Sequence, residues 1–297
     1  MSSTGIQLTK GTQEVIRRGK LAELWRRFKK DKFAVIGGVI LLVVILCAIF
    51  APLITHYDPN ETQLEQRLLP PGTEGHFLGT DEVGRDMFTR LVYGARVSVM
   101  IGFVAVAIAL FFGILVGLFA GYYGGWIDTI LMRCIDVLMA FPYVLLAISI
   151  IAALGPGLLQ AMVAISIVGI PYYARIVRGT VLSLRNKEFI EAEKALGASN
   201  MRIIFKHILP NTMAPIIVAA TLDVGWMIIA AAGLSFLGLG AQPPTAEWGV
   251  MLSEGRKFLR VAPYVSLLPG VCIFLVVLSL NLLGDGLRDA LDPRLKQ

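Results

Sequence analysis

Long stretches of this chain are free of charge over lengths that fit membrane spans rather than a soluble core. Residues 33–54 contain no Asp, Glu, Lys or Arg, and neither do residues 137–174. A helix of about 20 residues crosses a hydrocarbon layer of roughly 30 Å, where backbone groups meet no water and must satisfy one another. Composition agrees, because 56% of residues are hydrophobic and 16% are charged, too little polar material to clothe a globular surface. The expectation is an all-α integral membrane protein with six transmembrane helices, at 33–54, 97–123, 129–154, 158–179, 213–236 and 261–284. Gly155-Pro156-Gly157 divides the longer uncharged run, since that triplet favours a turn over a helix. An even number of crossings puts both termini on one side.

Lys and Arg orient the spans, because cytoplasmic loops retain positive residues. Lys10, Arg17, Arg18, Lys20, Arg26, Arg27, Lys29, Lys30 and Lys32 precede the first span, and Arg185, Lys187, Lys194, Arg202 and Lys206 lie between the fourth and fifth. Both regions are expected in the cytoplasm. The acid-rich loop 55–96 falls outside, with Arg256, Lys257 and Arg260 a local exception to the charge rule. A net charge of +6 is read as attraction to anionic lipid beside the spans, and no nucleic acid is expected as a partner. Leu21, Leu24, Trp25 and Phe28 recur at helical spacing among basic residues, the pattern of a helix lying in the headgroup layer. The expected organisation is a cytoplasmic segment with this interfacial helix at 1–32, a membrane domain at 33–284 and a cytoplasmic tail at 285–297. No cleavable signal is expected, because the first apolar run has full membrane length. Cys47, Cys134 and Cys272 fall inside spans with no metal or disulfide spacing. Gly113, Gly117 and Gly121 stand four apart and line one helix face, a small-residue stripe for close packing, within the subunit as the first reading and against a second membrane subunit as the alternative.

Between the fourth and fifth spans lies a polar insert, EFIEAEKALG at 188–197 followed by HILPN at 207–211. Glu188, Glu191 and Glu193 enter at the front of a short helix, where its dipole favours carboxylates, and Gly197 suits the left-handed residue that ends it. So short a helix is marginal alone and needs a surface to rest on, which points to another chain. A solvated connecting loop is the plainer alternative. Glu191, Ala192, Gly197, Leu209 and Pro210, in this order and spacing, resemble the EAA loop of ABC importer permeases, the segment that docks a cytoplasmic ATPase. Glu193 and His207 depart from that pattern, where the family often has a second Ala and an apolar residue. The resemblance makes 180–212 a cytoplasmic coupling loop, with Glu188, Glu191, Ala192, Gly197 and the helix restart at Pro210 as its ATPase-coupling residues.

Three further segments resemble the dipeptide, oligopeptide and nickel branch of these permeases. HFLGTDEVGRD at 76–86, continuing through Arg90 to Arg96, is similar to the segment before the second span. GLSFLGLGAQPP at 233–244 with Glu247-Trp248-Gly249, and GDGLRDALDP at 284–293, resemble the second, C-type permease of the branch. Physically, Asp81, Arg85, Asp86 and Arg90 can pair to fold an outer loop, with contact to a solute-binding protein as a second role. Charges inside spans are costly and face protein or a water-filled path. Arg133 and Asp136, three apart, are expected to pair, while Asp223 has no nearby partner in sequence; Asp223 and Asp136 are the candidate pathway residues.

The resemblance implies a type I ABC importer permease fold and half of a translocation pore, most like that of a dipeptide permease. Its implied partners are a second homologous permease subunit, two ABC ATPase subunits, an extracytoplasmic solute-binding protein and the bilayer of a bacterial inner membrane. The resemblance implies a transport subunit and not an enzyme, with no cofactor or metal on this chain, and the lack of a Gly-x-x-x-x-Gly-Lys-Ser/Thr loop places the nucleotide site elsewhere. ATP and Mg would sit on the partner ATPases. An ion-gradient transporter using Asp223 or Asp136 and a nickel or metal-chelate permease are the competing functions.

Overall fold

The computed structural model describes Arg26 and residues 28–291. The expected interfacial helix lies mostly outside these residues. The regular secondary structure of the described residues is helical, apart from two isolated β-bridges in the segment before Met87. Five helices are long and apolar enough to cross a membrane, and a bent pair counted as one makes six.

Helix α1, Lys32–Ile49, begins where Asp31 Oδ1 accepts the backbone N–H groups of Phe33 and Ala34, bonds that satisfy orphan donors of the first turn. It packs on the last long helix through Gly37, where an added Cβ would lie 2.7 Å from the Ser279 carbonyl oxygen. Its other side leaves Phe33, Val39, Leu42 and Val43 exposed, suited to lipid contact.

Helix α2 runs from Met87 to Tyr123, beginning ten residues before the expected span. Asp86 caps it, accepting from Thr89 N at 2.7 Å, and Arg90 is buried inside its first turns. The charges that read as loop are paired, so they do not stop the helix and the preceding loop ends at residue 86. The glycine stripe packs within the subunit, as expected. A Cβ on Gly113, Gly117 or Gly121 would come within 2.4, 2.6 or 2.7 Å of the Cβ atoms of Tyr173, Val177 and Val181, respectively.

The expected third span is two helices, α3 at Gly125–Met139 and α4 at Tyr143–Leu154, bent by 90°. Pro142 causes the break: it offers no N–H, and its ring disfavours helical geometry at Phe141. At about 1.5 Å per residue, α4 is roughly 18 Å long and cannot cross alone. Helix α5, Leu158–Leu184, comes after the Gly-Pro-Gly turn that the sequence places there.

The insert forms α6, Glu188–Ala195, and the chain then enters α7, Asn200–Phe236. The α-helical pattern restarts at Leu209 with Pro210 in its first turn, as expected, but the chain is already helical before it. Proline lacks an N–H and its ring would strike the carbonyl four residues back, at Lys206. The helix accommodates it by widening into a π-helix over Ile203–Ile208, in which Leu209 N–H bonds the Ile204 carbonyl. A short α8, Trp248–Gly255, precedes α9, Tyr264–Leu291. The helix therefore continues through the first residues of the expected tail. Residues 55–86 and 237–263 share one end of the bundle, the loop end, while the turns after α2 and α5 and the insert occupy the opposite, insert end.

Candidate functional site

At the insert end, α6 is seated on its own chain. Ile190 is completely buried among Leu118, Val177, Val181, Ile203, Ile204, Ile208 and Ile216. Contrary to the expectation from sequence, α6 needs no other chain as its resting surface, because apolar residues on α2, α5 and α7 converge from distant positions to provide it. Two further ties hold the segment: Lys194 Nζ stands 5.8 Å from the Tyr122 ring centre, and Tyr122 OH donates to Asn200 Oδ1 at 2.8 Å. Gly197 closes α6 with φ +77°. Its N–H bonds the Lys194 carbonyl and Ala198 N–H bonds the Glu193 carbonyl, both at 3.0 Å, a paired closure that requires a left-handed residue. The two positions that depart from the family pattern meet: His207 Nε2 lies 3.4 Å from Glu193 Oε1.

With Ile190 turned inward, the other side of α6 faces out. Glu188, Phe189, Glu191, Ala192, Leu196 and Gly197 lie outside the core, Leu196 at 83% exposure. Pro210 is exposed as well, on α7.

Within the membrane, Asp223 sits in α7 and accepts a hydrogen bond at 2.6 Å from the hydroxyl of Tyr173, which is fully buried in α5. Sequence reasoning missed this partner because it lies fifty residues away on another helix. Tyr172 and Trp226 flank the pair and are exposed at 48% and 38%. Trp226 packs against Tyr143 of α4 with ring centres 4.9 Å apart and planes tilted by 57°, and both line a cavity of about 200 Å³ between α4, α5 and α7.

Asp136 is paired differently from expectation. Arg175 of α5 donates to it at 2.8 Å, whereas Arg133, its neighbour in sequence, stands at 3.9 Å and is 79% exposed. Arg178 grips Asp128 with two bonds of 2.5 and 2.6 Å. These bridges lash α3 to α5, which explains how a helix sharply bent from its successor stays in place. Asp128 gave no signal beyond being an acid near a span end.

At the loop end, Asp81, Arg85, Asp86 and Arg90 are all buried. Asp81 Oδ2 takes Arg85 Nε at 2.5 Å and faces Arg90 Nε at 3.4 Å. Glu254 of α8, which sequence reasoning missed, bridges both arginines at 3.0 and 3.3 Å. Arg90 also donates to the carbonyls of Pro59 and Pro244, while Asp86 holds His76 at 2.9 Å. Glu82 accepts weakly from Arg85 at 3.3 Å, its other oxygen being buried without a partner among the described residues. Burial pushes its carboxyl above the usual range, with the Asp81 and Glu254 charges adding to the rise. The network ties the loop to α2 and α8 with its charged groups turned inward.

A bundle of membrane-length helices, carrying a short displayed helix at one end and a partly exposed acid on a spanning helix one turn from a cavity, has the architecture of a transport subunit. The chain belongs to the family of binding-protein-dependent transport system inner membrane components, whose model matches residues 113–297. The model for the N-terminal TM domain of oligopeptide transport permease C matches residues 20–71. Over 274 residues the chain is 56% identical to the dipeptide transport system permease protein DppC of Alkalihalophilus pseudofirmus, covering 92% of this chain and 90% of that protein. It is 47% identical to the di/tripeptide transport system permease protein DppC of Pseudomonas aeruginosa, covering 93% of each. Identity to the glutathione transport system permease protein GsiD of Pectobacterium atrosepticum is 46%, covering 92% of this chain and 91% of that one. An inward-facing structure of the MetNI methionine ABC transporter shares the fold, with a TM-score of 0.56 at 22% identity over 69% of this chain and 98% of that one. The chain is thus a multi-pass inner-membrane permease that works with ATPase and binding-protein partners, and ATP hydrolysis resides on separate subunits. Family membership sets aside the ion-gradient alternative.

Proposed function

We propose that this chain imports dipeptides or short oligopeptides as one of two related permease subunits enclosing a pore, driven by two ATPases that bind ATP and Mg and supplied by an extracytoplasmic binding protein. Relatives named for dipeptides, di/tripeptides and glutathione support the peptide class. The observation that carries the mechanism is α6, clamped to its own bundle by Ile190 while Glu188, Glu191, Ala192 and Gly197 face outward. A helix held rigidly at one side and open at the other passes a push from a docked ATPase into α2, α5 and α7. The insert end and both termini are assigned to the cytoplasm on the density of Lys and Arg there. Nucleotide binding shifts the pore between outward and inward access only by favouring one arrangement of the docked helices. Asp223 and Asp136 are assigned to the pathway, and the exposed surface around the buried Asp81, Arg85, Asp86 and Arg90 network to the binding protein.

An Ala192→Cys variant of the assembled complex tests the docking. A thiol cross-linker should join this chain to an ATPase subunit, and adding ATP should change the yield. Cross-linking to no ATPase, in a complex that still transports, would overturn the assignment.

A further inference from the structure

Asp223 differs from the two acids of α3. Asp128 and Asp136 each hold an arginine, whereas among the described residues no Lys, Arg or His pairs with Asp223. Its single partner there is the neutral hydroxyl of Tyr173, bound to Oδ2, and Oδ1 accepts no hydrogen bond from the described residues. It lies thirteen residues before the loop end of α7, so about 20 Å down the helix axis and deep in the bilayer. A carboxylate at that depth is costly unless a cation reaches it.

The surroundings suit a cation that arrives from the side of the cavity. Asp223 is partly exposed, and Trp226 stands three positions later on α7, hence on the same face. Tyr172 adjoins Tyr173 with ring centres 5.3 Å apart. Aromatic faces attract ammonium groups, most strongly where water is scarce. Beyond Trp226 the cavity of about 200 Å³ lined by Tyr143, Ile165 and Ile229 has room for a small side chain attached to such an ammonium.

We propose that Asp223, framed by Tyr172, Tyr173 and Trp226, binds the α-ammonium group of a peptide in transit. The carboxylate supplies the counter-charge, Tyr173 orients it, and the two exposed rings shield the ammonium from lipid and from the other charges of the path. This rests on the pathway reading above but makes a narrower claim, that the site reads a positive amino terminus.

The test uses the complete transporter in nanodiscs, with Cys47, Cys134 and Cys272 replaced and Ile229→Cys introduced, a position lining the cavity that is 50% exposed. The rate of thiol modification is measured against free Ala-Ala and against N-acetyl-Ala-Ala, without binding protein. Ala-Ala should protect at about tenfold lower concentration than its acetylated form; Asp223→Asn should abolish the difference and Asp223→Glu restore it. Equal protection by both peptides, or protection by neither in a complex that still transports, would overturn the proposal, the first outcome leaving a cation from another subunit as the partner of Asp223. Uptake by Asp223→Asn separates the two claims. A fall in uptake without acetyl discrimination sinks only the ammonium site, while unchanged uptake and stability sink the pathway reading itself.

Discussion

The closure of α6 by Gly197 offers the most direct measurement of how firmly the insert must be held. Gly197 has φ +77°, and an added Cβ there would meet nothing within 4 Å. Substitution therefore introduces no clash, and its whole effect is the backbone cost of a left-handed L-residue, about 1–2 kcal/mol and greatest for a β-branched one. Asn tolerates this conformation best, so coupling should rank Gly, then Asn, then Ala, then Val at this position. An eight-residue helix with one buried anchor has little stability of its own to absorb the loss. A penalty of this size lowers the population of the closed helix end by about 5- to 30-fold relative to the opened one. The assay is ATP hydrolysis stimulated by loaded binding protein, measured beside uptake in proteoliposomes. Gly197→Val should lower both while leaving the melting temperature of the membrane bundle nearly unchanged, because Ile190 and the core beneath it are untouched. Full stimulated hydrolysis in the Val variant, or an Asn variant as impaired as Val, would refute the reasoning.

Arg90→Ala should destabilise the bundle by about 3–5 kcal/mol, since it strips a cation from Asp81 and Glu254 and donors from two carbonyls. A thermal-unfolding midpoint within error of wild type would contradict that. Glu82 carries a pH signature. Its folded carboxyl titrates above its ordinary value, so the folded state holds the proton more tightly, and the stability this contributes is lost as pH rises from the ordinary carboxylate value through the raised one. Glu82→Gln should flatten this part of the profile in melts taken between about pH 4.5 and 7, and an unchanged slope would show that another group sets it.

Much of the bundle was legible because lipid imposes a simple rule. Uncharged runs of span length had to become helices, and glycines four apart had to lie on one face, which is how α1, α5 and the contact between α2 and α5 emerge from local sequence. Charges were harder to interpret. Arg90 and Asp86 read as loop residues, yet their partners Glu254 and His76 let α2 begin ten residues early. Arg133 was the natural mate for Asp136 by spacing, but Arg175 on another helix reaches it more closely.

Pro142 and Pro210 show the same limit in the backbone. Each residue marks a place where an α-helix loses a hydrogen bond, and no neighbouring residue dictates the direction the chain takes beyond it. At Pro142 the chain bends by 90°; at Pro210 the axis continues through a π-helix, held by Ile203, Ile204 and Ile208 buried against α2 and α5. Membrane residence, the candidate crossings and the polar insert could be read from the order of residues alone, because hydropathy and backbone satisfaction act locally. Which side of α6 turns inward, and that Asp223 meets Tyr173 but no arginine, emerged only once the helices had packed. Those outcomes depend on side chains tens of residues apart competing for the same space and the same charge.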